Sequence, residues 1–144
     1  MSEFTGKVAI VTGAAGHLGQ AVCQALAAQG ALIALLGRHQ DRLEAARSHL
    51  GVESASFAVD LVDPQGVERT IAAVLDRFGR IDILANIAGG FTMGPPLHET
   101  SDQDWELMMD MNARSVFNAC RAVIPRMLAG GGGRIINIAA RAAL

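Results

Sequence analysis

The sequence predicts an α/β fold built on a doubly wound parallel sheet. Runs rich in Val and Ile alternate with stretches of helical periodicity along the whole chain, the pattern left by parallel strands joined by crossover helices. The first run passes straight into a glycine-rich turn and a helix. At 144 residues, 51% hydrophobic and 18% charged, with no linker, repeat or low-complexity tract, residues 1–144 read as a single domain.

Lys7 to Val11 is the first expected strand, and Leu18 to Gln29, apolar on one face, the helix after it. Ala31 to Leu36 follows as the second strand, Asp41 to Leu50 as a helix, and Ala55 to Val59 as the third strand. Asp63-Pro64 is an N-cap followed by proline at the first helical position, and Val67, Ile71, Val74, Leu75 and Phe78 then recur at three-to-four spacing. Ile81 to Ala85 is the fourth strand. The stretch from Ala88 to Thr100, with Gly89, Gly90, Gly94, Pro95 and Pro96, is a loop. Ser101 caps a long helix through Trp105 to about Leu128, which Pro125 is expected to kink and Gly130 to Gly133 to stop. Arg134 to Ile138 is the fifth strand.

Several functions are excluded by counting. A net charge of −2 lacks the basic excess that a phosphate backbone requires, so no nucleic-acid partner is expected. The longest aliphatic run, Ala31 to Leu36, falls far short of the roughly 20 residues that span a bilayer, and no secretory segment opens the chain. A cytoplasmic protein without membrane contact is expected. Cys23 and Cys120 lack any ligand spacing and read as buried, reduced and structural. His17, His39, His49 and His98 show no metal-ligand spacing either, so no metal site is expected, and Trp105, Met108 and Met109 read as core. The chain holds no tyrosine, and Lys7 is its single lysine among 12 Lys and Arg.

The chemistry is carried by a few segments. In Thr12-Gly13-Ala14-Ala15-Gly16-His17-Leu18-Gly19, the glycines let backbone approach a pyrophosphate, and the helix N-terminus offers it free N–H groups and a positive dipole end. A strand-to-helix turn uses glycine in any case; its place in the first such turn of an alternating pattern points to phosphate. At the end of the second strand an acid would bind a ribose 2′-hydroxyl and select NAD. Here Gly37 leaves room and Arg38 supplies charge for a 2′-phosphate, which points to NADP with NAD as the alternative. Asp60 and Leu61 follow the third strand, and Asn86-Ile87-Ala88-Gly89 leaves the fourth at its carboxyl end, where small residues permit close approach. Asn112 lies seven after Trp105 and four before Val116, on the apolar stripe, as a buried amide that must find partners.

Together these segments resemble the short-chain dehydrogenase/reductase family over the whole chain. The resemblance implies a Rossmann-type sheet of about five strands in the order 3-2-1-4-5 that binds NAD(P). It gives Thr12 to Gly19 the role of the family's glycine motif, Asp60 that of its adenine-contacting acid and Asn86 to Gly89 that of its Asn-Asn-Ala-Gly element. Asn112 corresponds to its catalytic asparagine, and Gly133 to Ile138 to the strand that leads to its serine. The departures are specific. Glycines at 13, 16 and 19, with His17 where glycine is usual, are similar to the extended, epimerase-like subfamily. Ile87 replaces an asparagine. Ala140, between Ala139 and Arg141, stands in the place of the serine, and the chain stops at Leu144 before the family's Tyr-x-x-x-Lys segment.

The expected cofactor-binding set is therefore Gly13, Gly16, His17, Leu18, Gly19, Gly37, Arg38, Asp60, Leu61, Asn86, Ala88 and Gly89, with Asn112 as the catalytic residue present. The resemblance implies the C-terminally truncated part of an oxidoreductase that moves hydride between NADP or NAD and an alcohol or carbonyl substrate, this chain alone being inactive. A non-catalytic dinucleotide-binding or interaction module and an epimerase-like nucleotide-sugar binder are the alternatives. Without later neighbours the fifth strand is an apolar edge, and with the helix from Ser101 it predicts a homo-oligomer.

Overall fold

Residues 2–140 are described by a computed structural model; Arg141 and the chain end at Leu144 lie outside them. Strands β1 (Val8–Thr12), β2 (Leu32–Gly37), β3 (Ser54–Ala58), β4 (Ile83–Asn86) and β5 (Arg134–Asn137) form one parallel sheet in the order β3-β2-β1-β4-β5. Each lies within two residues of its expected bounds. Buried on both faces, β1 and β2 must be apolar at successive positions, which is why they read as continuous aliphatic runs.

Alternation within each strand sorts the core into two layers. Val8, Ile10, Ala34 and Leu36 meet helices α3 (Pro64–Phe78) and α5 (Ser115–Ala129) through Val67, Ile71, Val74, Ala119 and Val123. On the opposite face Ala9, Val11, Ile33 and Leu35 meet α1 (His17–Ala28) and α2 (Gln40–Arg47) through Cys23, Ala27, Leu43 and Ala46. Asp63 accepts from the Gln65 N–H, Pro64 needs no donor partner at the first position, and Gly79 takes the left-handed C-cap at φ 80°, so α3 starts and stops where its sequence says.

The helix expected from Ser101 onward differs. Ser101 does cap it, accepting from the Asp104 N–H, but α4 (Asp102–Met109) is separated from α5 by a π-helical turn at Asp110–Arg114. The extra residue in that turn shifts the helical phase, so side chains before and after it cannot share one stripe. No residue of α4 is fully buried: Trp105 is 59% and Met109 43% exposed, Met108 is half-buried, and the core placement expected for them is corrected. Pro125 lies inside α5, which continues to Ala129. Every residue of β5 is exposed.

The chain winds from β1 to β3 along one side, then crosses to β4 on the other flank of β1. The crevice at this reversal, beyond the carboxyl ends of β1 and β4, is where ligands bind in open α/β sheets. No helix among the described residues is long and apolar enough to cross a membrane.

Candidate functional site

The three glycines of the turn after β1 serve different ends. Gly13 takes φ +61°, and a Cβ on it would stand 2.9 Å from the Ala88 backbone. A Cβ on Gly19 would fall 2.0 Å from the Gly13 carbonyl oxygen, so only glycine lets α1 start this close to β1. At Gly16 a Cβ would touch nothing nearer than the Gly13 oxygen at 3.4 Å. Two glycines thus satisfy packing, while Gly16 leaves an open flank. Gly16 is also the N-cap of α1, and no side chain caps that end, so its first N–H groups and positive dipole are free for an anion.

Thr12 joins this turn to the segment after β4: its buried Oγ1 accepts from the N–H groups of Ile87 (3.1 Å) and Ala88 (3.0 Å). Asn86, 3% exposed, donates from Nδ2 to Asn137 Oδ1 at 2.9 Å and to Cys120 Sγ at 3.6 Å, bracing β4 against β5 and α5. Its position at a strand end among apolar residues signalled such a tie.

Between these parts lies a cleft of about 220 Å³. Gly13, Gly37 and Arg38 form one side, the segment Val59 to Val62 the second, and Ala88, Gly89, Met111 and Ser115 the third. Seven expected residues therefore meet on one cleft: Gly13, Gly37, Arg38, Asp60, Leu61, Ala88 and Gly89. The Asp60 carboxylate accepts from the Val62 N–H at 3.0 Å through Oδ1. Gly37 has a further task, since its Cβ would lie 3.0 Å from Leu43 Cδ2. Its small size admits α2 to the sheet, and Arg38 supplies the charge at the cleft.

Gly16, His17, Leu18, Gly19, Asn86 and Asn112 do not wall this cleft. Gly16, His17 and Leu18 stand exposed at the start of α1. Asn112 is also exposed, because it sits in the π turn and not on the α5 stripe; the buried amide expected from its spacing is corrected. Its partners are backbone all the same, namely Gly90 and Met108. Ala140 is exposed beyond β5 and offers a methyl group where the resemblance expects a hydroxyl.

Met111 and Ser115 line the cleft unanticipated, since the phase shift at Asp110–Arg114 decides which face of the helix turns to the sheet, and Val59 and Val62 join it as the chain neighbours of Asp60 and Leu61. Cys23 is buried as expected, and burial pushes its thiol up to about 12, too high for nucleophilic use at neutral pH. Cys120 is only half-buried.

An uncapped helix N-terminus beside an open glycine, and a cleft with a guanidinium on one wall and a carboxylate on another, are the kinds of group a dinucleotide needs. Comparison with known proteins identifies the family. D-threitol dehydrogenase of Mycolicibacterium smegmatis (strain ATCC 700084 / mc(2)155) is 43% identical over 144 residues, covering 98% of this chain and 55% of its own. The structure of NAD+-bound xylitol dehydrogenase superposes with a TM-score of 0.94 at 35% identity, covering 98% of this chain and 55% of that one. A metagenomic short-chain oxidoreductase in complex with NADP gives a TM-score of 0.91 at 34% identity, covering 96% of this chain and 64% of that one. The chain spans about half the length of the curated relatives first matched. Residues 7–144 match the family profile described as short chain dehydrogenase, and with the sheet order and the glycine turn in agreement, the chain belongs to that family of oxidoreductases.

Proposed function

We propose that residues 1–144 form an NAD(P)-binding Rossmann domain that prefers NADP, and that the whole protein transfers hydride between this cofactor and an alcohol or carbonyl compound. The observation that carries the reading is Arg38 on the wall of the cleft at the end of β2, with Gly37 where a carboxylate would repel a 2′-phosphate. Gly16 to Gly19 would receive the pyrophosphate, and Asp60 and Leu61 would border the adenine. Ala88, whose N–H Thr12 holds, and Gly89 after it would leave room for the ribose near the nicotinamide. The cofactor, when bound, supplies the hydride. Calorimetry with NADP and NAD tests the reading: tighter binding of NADP is expected, and Arg38→Asp should reverse the order. Equal affinities, unmoved by that substitution, would overturn it.

A non-catalytic binding module is the second reading for this chain taken alone, favoured by Ala140 and by a composition without tyrosine. Hydride arrival at a carbonyl leaves an alkoxide that needs a positioned acid, worth about 10² to 10⁴ in rate. Here the Asn112 side chain is engaged with backbone. The exposed strand β5 supports self-association, and the free thiols Cys23 and Cys120 are consistent with a reducing, cytoplasmic setting.

A further inference from the structure

Asn118 stands on α5 among Ala119, Ala122 and Val123, where packing alone calls for an apolar side chain, and it is only 3% exposed. Its amide reaches the irregular segment between β3 and α3: Nδ2 donates to the carbonyl oxygens of Leu61 at 2.9 Å and Val62 at 3.3 Å. The acceptor end is used as well, since Oδ1 accepts from Arg121 Nη2 at 3.1 Å. Arg121 itself is laid over the Phe117 ring, 4.6 Å from its centroid, so the amide is held with its nitrogen toward the loop.

The segment so held is one wall of the candidate dinucleotide cleft. Within it the Val62 N–H occupies Asp60 Oδ1, so the carboxylate is oriented by the residue whose carbonyl Asn118 grips. Asp60 itself is held by backbone on both sides, its carbonyl oxygen accepting from the Asp63 N–H at 3.1 Å and the Val59 N–H before it donating to the Gly37 carbonyl oxygen at 2.8 Å; Leu61 and Val62 between them lie in neither strand nor helix, and their carbonyl oxygens are the ones Asn118 takes. The same helix contributes Ser115 to the cleft one turn earlier, so Asn118 sets the loop against the helix that walls the site.

We propose that Asn118 is a positioning residue for the adenine half of the cofactor: it places Asp60 and Leu61 for the ligand, with Arg121 fixing the sense of its amide. This rests on the dinucleotide reading above. The alternative is a purely structural amide, which would affect folding and leave affinity alone.

ADP-ribose, titrated calorimetrically well below each melting temperature, separates the two. Asn118→Asp keeps the shape and replaces both N–H donors with acceptors; about tenfold weaker binding is expected. Arg121→Ala is on the surface and retains the fold, and about threefold weaker binding is expected as the amide loses its orientation. Should the first variant not fold, the second decides. A folded variant that binds within twofold of the parent chain (about 0.4 kcal/mol), whatever its melting temperature, overturns the assignment. A parent chain that fails to bind ADP-ribose instead overturns the dinucleotide reading, and the assignment with it.

Discussion

Asn112 and Gly90 clasp each other through two hydrogen bonds: Nδ2 donates to the Gly90 carbonyl oxygen at 2.8 Å, and Oδ1 accepts from the Gly90 N–H at 3.1 Å. A second bond from Nδ2, to the Met108 carbonyl oxygen at 2.9 Å, employs an acceptor in the last turn of α4. The side chain thereby anchors the loop after β4 to the widened turn. Asn112→Ala is expected to speed hydrogen exchange at the Gly90 amide and to cost about 0.5–1.5 kcal/mol in denaturant unfolding.

The last and the middle glycine of the turn after β1 should respond oppositely to alanine. Gly19→Ala drives a methyl into the Gly13 carbonyl oxygen and the Ala14 backbone, neither of which can swing aside. A loss of about 1–3 kcal/mol in stability is expected. Gly16→Ala meets no such wall and should change stability by no more than about 0.5 kcal/mol. Its effect should appear in calorimetry with NADP, as about tenfold weaker binding. Equal behaviour of the two variants would contradict the division of labour.

Asp82 ties the foot of the sheet together. Its carboxylate accepts from the Val8 N–H at 2.9 Å and from Arg80 twice at 2.8 Å, with Lys7 3.7 Å away. Burial pushes the carboxyl up, but Arg80, the Val8 N–H and Lys7 together outweigh it and hold the group below the usual carboxylate range. A lowered native value stabilises the fold above the unfolded value. Asp82→Ala should therefore cost about 1–3 kcal/mol at neutral pH. The difference from the parent should shrink as pH falls below about 4 and through the native value. Urea titrations at several pH values check this.

No turnover of alcohols or ketones is expected from this chain alone, followed by nicotinamide absorbance. Ala140→Ser on its own should not restore it, since a hydroxyl does not replace the missing acid. Robust turnover by mass-verified chain would show that the catalytic groups lie elsewhere.

Self-association is expected at high concentration, measured by light scattering. Ile136, 46% exposed on β5, is the residue to change: Ile136→Lys places a charge on the edge and should return the chain toward monomer.

Continuous aliphatic runs made β1, β2 and β4 legible, because a strand covered on both faces has few choices of residue, while β3 and the exposed β5 were legible from their place in the alternation with helices. The cleft was legible at Gly13, Arg38 and Asp60, which stand where strands end. What escaped was the phase of the helix after Ser101. A π turn has no marker residue, so spacing counted through it to Val116 put Asn112 inside when it is outside, and Trp105 and Met109, read as core for being large and apolar, are outside as well. The roles of Ser115 and Asn118 depend on that same phase. The work of Gly37 against Leu43 was hidden for another reason: a glycine's contacts are those its absent side chain would have made.

The sheet order also bears on how the chain is assembled as it is made. β1 pairs with β2 through Val8 and Leu32, but its other flank waits for β4, where Ala9 meets Ile83. Until the ribosome has delivered that strand, Val8 to Thr12 present an unfilled apolar edge, and no hairpin exists to close it locally. Partners so distant along the sequence make the pairing slower than a local hairpin would be and leave the nascent β1 edge in need of protection until β4 docks.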